Sequence, residues 1–158
     1  MTVYRPCAVC EPALCRPCPA WSRAEVTPGL WVGGGLAPLY PVDGFALVVT
    51  LDPHVAADNP APPLAQRLDL PFPDAQAPDP SLLDQASDAI GQALTAGGTV
   101  LVRCHEGLNR AGLVTAWHLT RTGTFSASDA IIAVQEARSL PGEPALYNQA
   151  FQDALLRR

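Results

Sequence analysis

Cys104 and Arg110 bracket the stretch Cys104-His105-Glu106-Gly107-Leu108-Asn109-Arg110. A β-branched apolar run, residues 99–103, precedes it, and residues 111–122 follow with helical character. A strand ending in a thiol, a short turn and a helix opened by a guanidinium together make an anion cradle. The amides of His105, Glu106, Gly107, Leu108, Asn109 and Arg110 can converge on one oxyanion, and the helix N-terminus adds its partial positive charge. Arg110 can hold two phosphate oxygens with its two-pronged guanidinium. The same field is expected to lower the pKa of Cys104 by favouring the thiolate. A thiolate beneath a bound phosphate is a nucleophile aimed at phosphorus. Gly107 lets the backbone turn without a Cβ in the way. A Cys and an Arg six positions apart also arise by chance, and a buried Cys is usually a small core residue. Chance does not explain the strand before it, Gly107 within it, Gly112 after it and the helix leaving it.

Other elements must hold this turn in place. Residues 45–51 read as a fully buried strand. Asp79 can cap a helix that Pro80 opens, with Leu82, Leu83, Ala86, Ile90, Ala93 and Leu94 at helical spacing and Gly97 and Gly98 ending it. Ser126 with Asp129 starts another helix to about residue 138, and a last one runs from about 146 to 156. Residues 26–29 look like a turn into a strand at 30–32, which the run Gly33-Gly34-Gly35 is expected to break. That run has neither the spacing nor the following helix of a dinucleotide fingerprint. Residues 52–80 are dense in proline and are expected to be mostly loop. Trp31 and Trp117 are expected in the core, and neither His54 nor His118 carries a catalytic pattern. Alternating strands and helices imply an α/β fold with a central, largely parallel sheet flanked by helices.

Composition narrows the function. The 158 residues, 48% apolar and 16% charged, suit one domain with a real core. An irregular Cys/Pro-rich segment, 1–25, is followed by a domain over 26–158. The net charge is −5, and all ten basic residues are Arg. This argues against a partner, such as nucleic acid, held by a broad basic surface, though not against one phosphate held by one arginine. The longest apolar run, residues 45–51, falls far short of the roughly 20 residues a spanning helix needs, and the N-terminus lacks the apolar stretch of a signal peptide. The expected location is the cytoplasm, without membrane contact, where cysteines stay reduced.

The stretch from Cys104 to Arg110 matches the C-x5-R signature of cysteine-based protein tyrosine phosphatases, and its setting resembles the dual-specificity phosphatase branch. Similarity extends from about Val26 to Leu155: GLWVG (29–33) resembles the family's opening strand, and DAIIAVQEAR (129–138) and ALYNQAF (145–151) its closing helices. The resemblance implies a phosphocysteine intermediate at Cys104, hydrolysed by water without a cofactor. The substrate it implies is a phosphorylated protein or a small phosphate ester. It also implies a general acid on an upstream loop. Asp69, Asp74 and Asp79 are available; LPFPD (70–74) best resembles that segment, so Asp74 is preferred, while Asp79 is better explained as a helix cap.

The chain departs from the family twice. Arg103 stands where His usually precedes the cysteine, and Ala111 where Ser or Thr usually follows the arginine. The missing hydroxyl implies slow release of the thiolate from the phosphoenzyme. Leu108-Asn109-Arg110 followed by Ala111-Gly112 also resembles RNA 5′-triphosphatases of the superfamily, although basic clusters for tracking an RNA backbone are missing. A catalytically weak phosphate-binding module of the same fold is a further alternative.

Cys7, Cys10, Cys15 and Cys18, as two C-x2-C pairs, have the look of four thiolate ligands for one structural zinc ion. The segment carrying them has almost no apolar periodicity and would rely on metal or docking to order itself. Metal analysis of protein purified without chelator should give about one zinc per chain, the stoichiometry of a four-thiolate site. Protein without metal, in which all four cysteines alkylate readily, would leave only a redox-active or loose tail.

Overall fold

The computed structural model describes residues 23–35, 44–58, 65–139 and 143–158. Five strands form one sheet: β1 (Arg23–Thr27), β2 (Leu30–Gly34), β3 (Leu47–Thr50), β4 (Gln66–Asp69) and β5 (Val100–Cys104). Their spatial order is β1-β2-β5-β3-β4, with β1 antiparallel to β2 and every other pair parallel. The central strand β5 ends in Cys104, and parallel strands align their C-terminal ends, so the cysteine emerges where the sheet meets its loops.

Side chains alternate across β5. Val100, Val102 and Cys104 join the main core, whereas Leu101 joins Val48 on the reverse face with Trp31, Phe45 and Ala65 packed against it. Against the main face lie α2 (Pro80–Thr95), α3 (Arg110–Arg121), α4 (Ala127–Arg138) and α5 (Gln149–Leu156). In α3 every residue from Ala111 to Leu119 is buried, so this helix runs through the middle of the domain. The expected caps are present: Asp79 accepts from the Ser81 N–H at 2.8 Å and Ser126 from the Asp129 N–H at 3.1 Å.

Local expectations shift in four places. The proline-dense segment contains a six-residue helix, α1 (Pro53–Asp58), and the strand β4. Asp52 creates the first by accepting the His54 and Val55 N–H groups at 2.9 and 3.0 Å. Pairing with β3 creates the second, whose side chains are mostly exposed and so carry no apolar alternation. The glycine run ends β2 two residues later than expected: Gly33 and Gly34 still pair in register with Arg103 and Cys104, and the strand stops before Gly35. The sheet also starts at Arg23, upstream of the composition change at Val26. Trp117 is buried, while Trp31 is half-buried on the reverse face.

Phe151 of α5 is fully buried and meets Phe72 edge-on, with ring centroids 6.0 Å apart. This contact ties the last helix to the loop over 70–74. Phe151→Ala should cost about 3–5 kcal/mol of unfolding free energy in urea titration, and a loss below about 1 kcal/mol would show that the two rings do not form a shared core.

Candidate active site

The turn after Cys104 holds its N–H groups inward because its carbonyls are satisfied from outside. The His105 carbonyl accepts the Gly35 N–H at 3.1 Å, and the Leu108 carbonyl the Leu146 N–H at 3.1 Å. The Asn109 carbonyl accepts the Leu113 N–H at 2.8 Å within α3. Glu106 and Gly107 carbonyls both accept from Arg138, through Nη2 at 2.9 Å and Nε at 3.2 Å. Each carbonyl from 105 to 109 therefore has a donor, and the loop's own N–H groups are left to face Cys104 and the cleft. The Gly107 N–H reaches Cys104 Sγ at 3.3 Å.

Glycines make the close seating possible. Gly107 has φ +73, and a Cβ there would collide with the Gly33 carbonyl. The glycine run in β2 is thus the bed on which the cradle lies, a role its sequence pattern did not announce.

Arg110 opens α3 with its guanidinium in the same cleft. One Nη meets Asp52 Oδ2 at 2.8 Å, and the other donates to the Leu51 and Phe72 carbonyls at 3.4 and 3.2 Å. Its Nε is buried with no hydrogen-bond partner among the described residues. An unpaired buried N–H is rare in a native fold, and a guanidinium has the geometry to hold an oxyanion with two parallel N–H groups. Burial opposes ionisation of Asp52, but the Val55 N–H, Arg110 and the His54 N–H prevail and hold its carboxyl below the usual range. Asp52 was missed in the sequence; the available signal was an acid closing a buried strand just before Pro53.

Burial also pushes the Cys104 thiol up, against the pull of the Ala111, Gly107 and Leu108 N–H groups and the Arg110 guanidinium. The expected causes of a lowered pKa are all in place, yet desolvation of the buried sulfur outweighs them, so the net direction is corrected to upward.

Asp74 lines this cleft of about 210 Å³ together with Cys104, His105, Glu106, Leu108, Asn109 and Arg110. Its two oxygens accept from Asn109 Nδ2 at 3.0 Å and Asn148 Nδ2 at 2.9 Å. Asn148 caps α5 through the Ala150 N–H and donates its own N–H to Asn109 Oδ1 at 3.0 Å. The other loop acids lie elsewhere: Asp69 pairs with Arg67 on β4, and Asp79 caps α2. Asn148 and Arg138 both escaped the sequence reading as parts of the site. The signal for Arg138 was a charge on the buried stripe Ala130, Ile131, Val134, Arg138.

Arg103 points to the reverse face, fully buried, with Nε 2.9 Å from Thr50 Oγ1. Burial pulls its pKa down to about 10, so it remains cationic at neutral pH. His118 is buried away from the cleft, Nδ1 3.0 Å from Ser87 Oγ. Cys7, Cys10, Cys15 and Cys18 lie outside the described residues, and no described helix is long and apolar enough to cross a membrane.

Alkylation of Cys104 by iodoacetamide should rise with pH to a midpoint above the ordinary thiol value of about 8.5. Arg110→Ala should move that midpoint higher still, since the guanidinium favours the thiolate. A midpoint well below the ordinary value would show the donors winning over burial.

The dual specificity phosphatase catalytic domain family matches residues 43–155. Human dual specificity protein phosphatase 12 is 31% identical over 123 residues, covering 73% of this chain and 36% of the relative. The yeast (Saccharomyces cerevisiae) tyrosine-protein phosphatase CDC14 is 36% identical over 66 residues, covering 42% of this chain and 12% of its own. The chain thus spans about a third or less of these curated relatives. Human DUSP28 superposes with a TM-score of 0.70 at 27% identity, covering 86% of this chain and 91% of its own. A mouse putative dual specificity phosphatase, solved in complex with zinc tungstate, gives 0.68 at 28%, covering 87% of each chain. The cysteine-and-arginine cradle and the fold that carries it therefore have one family in common, and this chain belongs to the dual-specificity phosphatases.

Proposed function

We propose that the chain hydrolyses phosphate monoesters, phosphotyrosine and also phosphoserine or phosphothreonine, through a phosphocysteine at Cys104. One observation carries this reading: a thiol, the N–H groups turned toward it and the guanidinium of Arg110 share a single small cleft with Asp74. The mouse relative's complex with tungstate, a tetrahedral oxyanion like phosphate, supports it.

In the first step the Cys104 sulfur, as thiolate, attacks phosphorus while the bond to the ester oxygen breaks. Asp74, as the acid, gives that oxygen its proton. The loop N–H groups and Arg110 stabilise the equatorial oxygens, whose charge is greatest in the transition state. In the second step water attacks phosphorus, the sulfur–phosphorus bond breaks, and Asp74 takes the proton from the water. Asn109 and Asn148 are the positioning residues that aim the Asp74 carboxyl.

Ala111 places a methyl where a hydroxyl would assist the departing thiolate, and it is fully buried. This favours slow phosphoenzyme hydrolysis, and in the limit a module that binds phosphate and turns over weakly.

Rapid mixing with an aryl phosphate should give a burst of phenol matching the enzyme concentration, then slow turnover that Ala111→Ser speeds up. Cys104→Ser should lower turnover by several orders of magnitude. Asp74→Asn should slow esters with poor leaving groups by about 10²–10⁴-fold and activated ones much less. Full activity in Cys104→Ser, or equal losses for both leaving-group classes in Asp74→Asn, would overturn the corresponding step.

A further inference from the structure

The cradle offers a phosphate its backbone N–H dipoles and the Arg110 guanidinium. Among the described residues Arg110 is the one arginine lining the cleft, and its charge is already matched by Asp52 at 2.8 Å, both side chains being about nine-tenths buried. Arg138 lies on the far side of the loop, 4% exposed, and donates to two loop carbonyls. What faces outward from the lining is acidic: the exposed Asp74 and Glu106, with His105 as the remaining titratable group.

Glu106 is not free to withdraw. Its carbonyl is held by Arg138 at 2.9 Å, and its peptide presses on β2 so closely that a Cβ on Gly34 would stand 3.1 Å from the Glu106 oxygen. The fixed backbone roots this exposed side chain beside the cleft, whose described lining holds no cationic arginine besides Arg110.

A single phosphoryl group escapes this acidic rim by descending among the N–H groups. Any second anionic group on the substrate stays outside, where it meets the exposed Asp74 and Glu106. We infer that this cleft selects phosphopeptides whose phosphorylated residue is flanked by arginine or lysine, with Glu106 as the specificity-determining side chain, and that it discriminates against polyphosphate ends and acid-flanked phosphopeptides. The inference rests on the phosphatase reading above and adds the substrate class to it. It also weighs against the RNA 5′-triphosphatase alternative, whose substrate presents several anionic groups together.

The test compares three substrates with the full chain: a phosphotyrosine peptide flanked by arginines, the same peptide flanked by glutamates, and an uncharged aryl phosphate. At low salt kcat/KM for the arginine peptide should exceed that for the glutamate peptide by about tenfold or more, and the ratio should shrink as salt screens the rim. Glu106→Gln should bring the ratio several-fold closer to unity and Glu106→Arg should invert it, whatever either does to the aryl phosphate rate. No turnover of any of the three would overturn the phosphatase reading itself. Turnover of the aryl phosphate and both peptides with a ratio near one, or a ratio unmoved by Glu106→Arg, would overturn the charge selection alone. An RNA 5′-triphosphate cleaved faster than the arginine peptide would do the same.

Discussion

A peptide group has a donor at one side and an acceptor at the other, so a loop that points its N–H groups at one centre must find partners for its carbonyls elsewhere. Five consecutive carbonyls, 105 to 109, face that demand here, and four different parts of the chain meet it. Gly35 at the end of β2, Arg138 at the end of α4, Leu146 before α5 and Leu113 within α3 each supply donors. The cradle is thus the place where the whole α/β framework closes, and its convergence on Cys104 follows from that satisfied backbone.

Two further contacts brace the cradle. The Asp52–Arg110 pair joins the end of β3 to the start of α3, and the Phe72 carbonyl brings the upstream loop to the same guanidinium. Such a buried pair depends on further partners for its remaining protons and lone pairs. Here the Val55 and His54 N–H groups satisfy the acid, and carbonyls satisfy one arm of the base. On the other wall, two asparagine amides grip both oxygens of Asp74, so an exposed carboxylate on a proline-rich loop has a fixed direction.

The cradle was legible in the sequence where local rules act alone. The thiol, the guanidinium, the glycine between them and the helix after them are read from neighbours in the chain, and the caps at Asp79 and Ser126 follow from side chain and backbone within four residues. The edge strands β1 and β4 were not legible because their residues, RAEVT and QRLD, are half-buried or exposed and owe their conformation to a partner strand. Asp52, Arg138 and Asn148 were hidden for a related reason: each acts on a group more than thirty residues away. The net direction of the Cys104 pKa turned on how fully the sulfur is enclosed, a quantity that no local pattern encodes.

Arg138 reaches the cradle from the last turn of a twelve-residue helix whose first turn is fixed by the Ser126 cap. Helical phase therefore connects a surface turn to the anion site. Deleting one residue inside α4 would rotate Arg138 by about 100° relative to that cap and carry its guanidinium away from the Glu106 and Gly107 carbonyls. A length change in the turn at 122–125, ahead of the cap, leaves the phase of the helix intact. Within this stretch, evolutionary drift in length belongs in the turn, and the helix can exchange residues but not lose or gain one.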